Sequence, residues 1–216
     1  MKKQRSRHCS AHRLLRTRLA HEAAKWIVDN GLHDYSIARR KIAKRHKIKD
    51  PVLLPRDFEM IDALLQYRRL FSRPEDDIAL HRQRTAALEA MLFFEPFHPR
   101  LVGPVLEKTA APHTPIELHL HTNDADAVQR FLEDNHISAR LGSQYIYLGR
   151  SQRQNVLVWH LCANGWTFHI VVLPEAALRH APLSTDERRP ITRASTRQLS
   201  ALLAQSEGNQ THQPAN

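Results

Sequence analysis

Cysteine is nearly absent from this chain: Cys9 and Cys162 are the only two among 216 residues. They lie far apart, one in a basic leader and one in a predicted strand. They therefore offer neither a disulfide framework nor the paired spacing of a zinc knuckle. A reducing compartment is the simpler reading, and a cytoplasmic location is expected. Long apolar runs are missing as well. No stretch of eighteen or more apolar residues occurs, so nothing has the length of a membrane-spanning helix. The leader MKKQRSRHCSAHRLLRTRLA is basic but has no apolar segment or small-residue cleavage site of the secretory kind. A basic, acid-poor leader would also suit an organelle transit peptide, but this one runs directly into a well-patterned helix. Internal repeats are absent. So are the Gly-x-Ser-x-Gly elbow, the Walker loop and the dinucleotide fingerprint, which argues against serine hydrolase, P-loop and Rossmann chemistries.

What the chain does have is positive charge in one place. The net charge is +10, and residues 1–50 hold fifteen Lys and Arg against four Asp and Glu, while the rest carries 17 basic against 18 acidic. A local positive block attracts phosphate backbones through counterion release, an attraction that weakens with salt. Arg39, Arg40, Lys41, Lys44, Arg45 and Lys47 are the candidate nucleic-acid contacts. An acidic protein partner would satisfy the same charge, and so would a merely solvated helix face.

Apolar spacing predicts four helices in the first part of the chain. Residues 11–29 carry Leu14, Ala20, Ala23, Ala24, Ile27 and Val28, stopping at Asn30-Gly31. Residues 34–46 carry Ile37, Ile42 and Ala43, with Asp34 as N-cap. Residues 56–71 carry Phe58, Ile61, Leu65 and Leu70, and 76–94 carry Ile78, Leu80, Ala87, Leu88, Met91 and Leu92. Residues 72–75 form the best linker. From about residue 99 the texture becomes that of strands: RLVGPVL, the alternating IELHLHT, SARLGSQYIYLG, NVLVWHLCA and WTFHIVVL. A helix introduced by Thr122 or Asn123 interrupts them, and Asn164-Gly165 between the last two is the strongest hairpin signal. A helix near 194–205 and a polar tail close the sequence. The expected organisation is α+β: a basic helical region over 1–74, a mixed β-sheet domain with flanking helices over 75–206, and a disordered tail over 207–216.

The stretch from Leu101 to Leu120, LVGPVLEKTAAPHTPIELHL, resembles the signature of the polymerase-β-type nucleotidyltransferases. That signature is a strand ending in Gly-Ser, a helical turn, a proline-containing loop, and Asp-x-Asp opening the next strand. The spacing suits the chemistry. Gly-Ser brings triphosphate close to backbone N–H groups, two carboxylates on one strand face hold divalent ions, and a third from a neighbouring strand completes the site. The resemblance covers about residues 84–173. It places Gly103 and Pro104 at the nucleotide-binding Gly-Ser, Pro112 in the loop, Pro115 and Glu117 at the paired acids, and His169 at the third.

These substitutions imply a degenerate member. Pro104 has no hydroxyl and no N–H to offer phosphate. Pro115 cannot bind a metal ion, and Glu117 is the one carboxylate retained of three. Magnesium is poorly served by a single carboxylate. Alternation along IELHLHT puts Glu117, His119 and His121 on one face and Ile116, Leu118 and Leu120 on the other. A divalent cofactor held by Glu117, His119 and His169 would suit zinc or nickel better than magnesium, with Glu117 as the catalytic candidate. The other reading of that face is a solvated sheet surface. His160, flanked by apolar residues, reads as a core histidine. Cys162 shares its face but has no third group to make it a nucleophile. Tyr145 and Tyr147 could stack bases, although aromatic pairs more often pack in a core.

The functional expectation is a nucleotidyltransferase-like protein, catalytically degenerate, that binds nucleotide or nucleic acid through its basic helices. An active enzyme with an altered metal site and a protein-interaction module are the alternatives.

Overall fold

The computed structural model describes residues 2–30, 35–71, 73–149, 153–184 and 189–210. The chain divides into two compact units, Met1–Pro74 and Glu75–Asn216.

The first unit is helical: α1 (Lys2–Asn30), α2 (Tyr35–Arg45), a 3-10 turn at Pro51–Leu53, and α3 (Asp57–Phe71). Its core is built largely from small residues, which lets helices approach closely. Leu19, Ala20, Ala23, Ala24 and Ile27 of α1 meet Ala38 and Ile42 of α2 and Met60, Ala63 and Leu64 of α3. The faces expected from sequence are partly out of phase with those observed. Leu14, Val28, Phe58, Leu65 and Leu70 are exposed, because the buried stripe runs instead through Leu19, Ile27, Ile42, Met60 and Leu64 with alanines between them. The helix ends follow local chemistry. Glu59 accepts from the Arg56 N–H at 2.9 Å, half of a capping box at the start of α3. Past α2, Lys47 adopts φ 53°, and the Ile48 N–H reaches back to the Ala43 carbonyl at 2.9 Å, a Schellman closure. The expected caps at Gly31 and Asp34 lie outside the described residues.

The second unit is α+β. It runs α4 (Pro74–Phe93), β1 (Arg100–Val102), α5 (Gly103–Glu107), β2 (Ile116–His121), α6 (Ala125–Asp134), β3 (Ala139–Tyr147), β4 (Arg153–Ala163), β5 (Trp166–Leu173), β6 (Arg193–Ala194) and α7 (Thr196–Gln210). Pro74 at the first helical position and Glu75, Asp76 and Asp77 in the first turn start α4, so half of the expected linker is helix. Asp124 caps α6 through the Asp126 N–H, in place of Thr122 or Asn123. α7 opens on a reciprocal Ser195–Gln198 capping box. It continues to Gln210, so 207–210 are helical and not the disordered tail expected from composition; 211–216 lie outside the described residues.

The six strands of the described residues form one sheet in the order β3-β4-β5-β2-β1-β6. β2 and β5 are parallel, and every other neighbouring pair is antiparallel. Asn164 (φ 51°) and Gly165 (φ 80°) make the tight β4–β5 turn that the sequence signals. β6, two residues long, carries no sequence signal. One sheet face holds the main core, with Leu101, Ile116, Leu118, Leu120, Trp159, Leu161, Phe168, Ile170 and Val172 packed against residues of α4, α6 and α7. Part of the other face forms a second cluster, Ile146, Val156, Val158, Val171, Leu173 and Ala177. Among the described residues no helix is long and apolar enough to cross a membrane.

Candidate functional site

The remaining part of that second face is polar, and register aligns it into a line across the sheet. Arg193 on β6 lies opposite Val102 on β1, and Val102 opposite Glu117 on β2. Glu117 is paired with His169 on β5, His169 with His160 on β4, and His160 with Arg140 on β3. Directly paired residues share a face, so six strands deliver one transverse row. A second line, one pleat along, runs Arg100, His119, Val171, Val158, Gly142.

Gly103 closes in on the row from the head of α5. Its φ is +69°, and a Cβ built there would sit 2.7 Å from Oε2 and 3.0 Å from Cδ of Glu117. A side chain at 103 would be both strained and blocked. The Glu117 carboxylate thus fills the space beside the glycine. Its environment disfavours charge. Burial, then the neighbouring Glu107 carboxylate, push the Glu117 pKa up to about 7. Burial raises Glu107 as well. Glu107 is the acid that sequence reasoning missed, because its place at the C-terminal end of α5 depends on how that short helix folds back.

Two buried side chains of α4 hold this corner. Arg84 donates to the carbonyls of Val105 (3.1 Å) and Leu106 (2.9 Å). Gln83 donates to the carbonyl of Ala111 at 2.8 Å. Polar residues at these helix positions gave no functional signal in the sequence, yet they fix the chain on either side of Glu107.

The histidines divide into two groups. His160 and His169 are half-buried and meet edge to face, with ring centroids 4.5 Å apart at 82°. Gly142 leaves room for His160, since a Cβ there would come within 3.2 Å of its Nε2. Burial leads in lowering the His169 pKa, with His160 and Arg140 adding to it. His160 is therefore a member of the polar row and not the core histidine its apolar neighbours suggested. His119 and His121 are buried, which overturns the reading of IELHLHT as a solvated face. Burial, then His121 and Arg193, bring His119 down to about 3. His121 donates from Nδ1 to the His98 carbonyl at 2.8 Å; burial outweighs that bond, Arg100 and Arg193 add to it, and the pKa falls to about 4. His119 Nδ1 and His121 Nε2 lack hydrogen-bond partners. Arg193 itself is anchored by donating to the carbonyls of Ala177 and Leu178.

This arrangement does not fit the divalent ion considered from sequence. Among the described residues no three His, Cys, Asp or Glu side chains come together as a metal-holding group. Glu117, His119 and His169 are not such a set: His119 lies one pleat away, and Arg193 acts on it with a positive charge. Cations would be repelled where histidine nitrogens are free.

The tyrosines separate as well. Tyr145 is 58% exposed and carries the Arg153 guanidinium 3.9 Å from its ring centroid, so it is not core packing. Cys162 is exposed, with Sγ 3.7 Å from the Thr167 hydroxyl.

In the first unit the six candidate cations do not behave alike. Arg39 pairs with Asp57 and donates to the Pro55 carbonyl at 2.9 Å, which makes it a strut between α2 and the start of α3. Arg40, Lys41, Lys44, Arg45 and Lys47 are exposed. Arg45 reaches Glu22 at 2.9 Å while remaining 72% exposed.

No family model, curated protein or solved structure matches this chain.

Proposed function

We propose that the chain is a nucleotidyltransferase-like protein that no longer turns nucleotide over and that binds nucleic acid or nucleotide through the exposed cations of α2 and its C-terminal turn. The contact between Gly103 and Glu117 carries the loss of turnover. In the resemblance, that glycine makes space for triphosphate; here a buried carboxyl group takes the space. Further support comes from the adjacency of Glu117 and His169 on parallel strands, where two acids would be needed to hold metal. Proline at 104 removes the second phosphate contact.

Arg40, Lys41, Lys44, Arg45 and Lys47 supply the phosphate contacts in this reading. Lys44 and Arg45 also lie in the last turn of α2, where cations complement the helix dipole. Titrating single-stranded RNA and duplex DNA with the full chain over a range of salt tests the reading. Affinity should fall steeply with salt, and Lys41→Ala or Lys44→Ala should each lower the slope by about one, the value of a single phosphate left unneutralised. A flat salt response, or no binding at low salt, would defeat it. Incubation with labelled nucleoside triphosphates and Mg²⁺ or Mn²⁺ should yield no transfer; transfer abolished by Glu117→Ala would overturn the loss of catalysis.

A further inference from the structure

The core-side face of the sheet is open at one corner. There a cavity of about 240 Å³ lies between α4 and the β4–β5 hairpin. Ala86 and Ala90, one turn apart on α4, form its roof, while Trp166 and Phe168 of β5 and Leu161 of β4 line the sheet side. Alanine at both helical positions is what leaves the space, since larger side chains there would close it. Phe93 flanks it, 37% exposed and packed edge to face on Phe94 with centroids 4.9 Å apart. Glu89, on the exposed side of α4, is the one charged residue in the described lining.

We propose that this cavity binds a small arylalkyl amine: one aromatic ring on a short chain ending in an ammonium group. Three observations set that class. The volume exceeds the roughly 150 Å³ that accommodates benzene and falls below the roughly 300 Å³ at which drug-sized sites begin, which suits one ring with a short arm. Apart from Glu89 and Asn164 the walls are aromatic and aliphatic, so the body of the ligand is apolar. Glu89 sets the sign of the polar end, and Trp166 and Phe93 in the same lining supply aromatic rings of the kind that attract cations. An anionic isostere would place its carboxylate beside Glu89. The cavity shares β5 with the polar row but lies on the opposite sheet face, since Phe168 and His169 are consecutive. The assignment does not depend on the nucleotide reading.

Calorimetric titration of the full chain with 2-phenylethylamine, 2-phenylethanol and 3-phenylpropionate tests it. The amine should bind roughly five- to tenfold more tightly than the alcohol, the scale of a partly exposed ion pair with a cation–π contribution, and the acid most weakly. Glu89→Gln should bring amine and alcohol within about twofold of each other while leaving the melting temperature unchanged, as Glu89 is on the surface. Ala90→Leu, which fills the roof, should weaken all three ligands. Absence of amine binding, an amine preference that survives Glu89→Gln, or affinities insensitive to Ala90→Leu would each overturn the proposal.

Discussion

The two faces of the sheet in Glu75–Asn216 are made by the same strands and have opposite chemistry. On β2, Ile116, Leu118 and Leu120 enter the main core, while Glu117, His119 and His121 point the other way. The first face is apolar and covered by helices over β1, β2, β4 and β5, while Leu141 and Tyr145 on β3 stay exposed. The second is part apolar cluster and part polar row, and several of its ionisable groups are buried enough to change their acidity. Alternation alone decides which residues share a face. What covers that face decides whether a histidine is a solvated base or a neutral, buried ring.

Substitutions can sharpen the contrast between the faces, and the largest effect belongs to the core side. Leu118 is fully buried, so Leu118→Ala should cost about 3 kcal/mol in chemical denaturation, whereas His160→Ala on the half-buried row should cost under about 1. Near-equal costs would erase the distinction.

The next effect is pH dependence. Glu117 has a folded pKa of about 7 against 4.5 when unfolded, so the folded state holds its proton more tightly, and stability falls as pH rises from 4.5 through 7. The span amounts to at most about 3 kcal/mol. His119 and His121 act in the opposite sense. Their folded pKa values of about 3 and about 4 lie below the ordinary 6.5, so stability rises with pH up to 6.5 and is lost as pH falls through the folded values. Two histidines outweigh one carboxyl between 4.5 and 6.5, and above 6.5 the remaining parts of the three titrations nearly cancel. Melting followed across pH should therefore rise up to about neutrality and then level off. Glu117→Gln should steepen the acid limb, because the carboxyl no longer opposes the histidines; an unchanged limb would mean that Glu117 does not titrate in this range.

Gly103→Ala should destabilise by about 1–2 kcal/mol through its positive φ and its collision with Glu117. Adding Glu117→Ala removes the collision and leaves the backbone strain, so a double-mutant cycle should show a favourable coupling of about 0.5 kcal/mol or more. Strict additivity would mean that the two groups do not touch. The smallest expected effect contrasts cations in the helical unit. Arg39→Ala should lower stability by about 1 kcal/mol through its ties to Asp57 and Pro55, and Lys41→Ala should stay within about 0.5 kcal/mol.

Much of the sheet was legible because its signals are local. WTFHIVVL is β5 from first residue to last, and Asn164-Gly165 is the turn before it. The α+β class and the alternation of β2 were accessible on the same grounds, whereas the neighbouring of the strands of Glu117 and His169 was an expectation from the resemblance alone. Helix faces in the first unit were harder to read. Ala20, Ala23, Ala24, Ile27 and Ile42 were read on helix faces and are buried, but Leu19 and Met60 were passed over, while Leu14, Phe58 and Leu70 suggested a stripe that is exposed. The full polar row was out of reach. Arg140, His160 and Arg193 join it only through register between strands distant in sequence, and β6 has two residues. Metal ligation by Glu117, His119 and His169 failed on the same point, because shared strands do not guarantee convergent side chains.

The parallel contact between β2 and β5 also orders events in time. β3, β4 and β5 are consecutive antiparallel neighbours, and the Asn164-Gly165 turn can close β4 on β5 within microseconds. β2 must wait for a partner roughly fifty residues further along, and closing so long a loop is entropically costly before any contact rewards it. The meander should therefore form before β2 docks and brings Glu117 to His169, and β6, whose partners on β1 lie about ninety residues away, should pair later still. Assembly of the row needs both the β2–β5 and the β1–β6 pairings, so it is expected to be a late kinetic event.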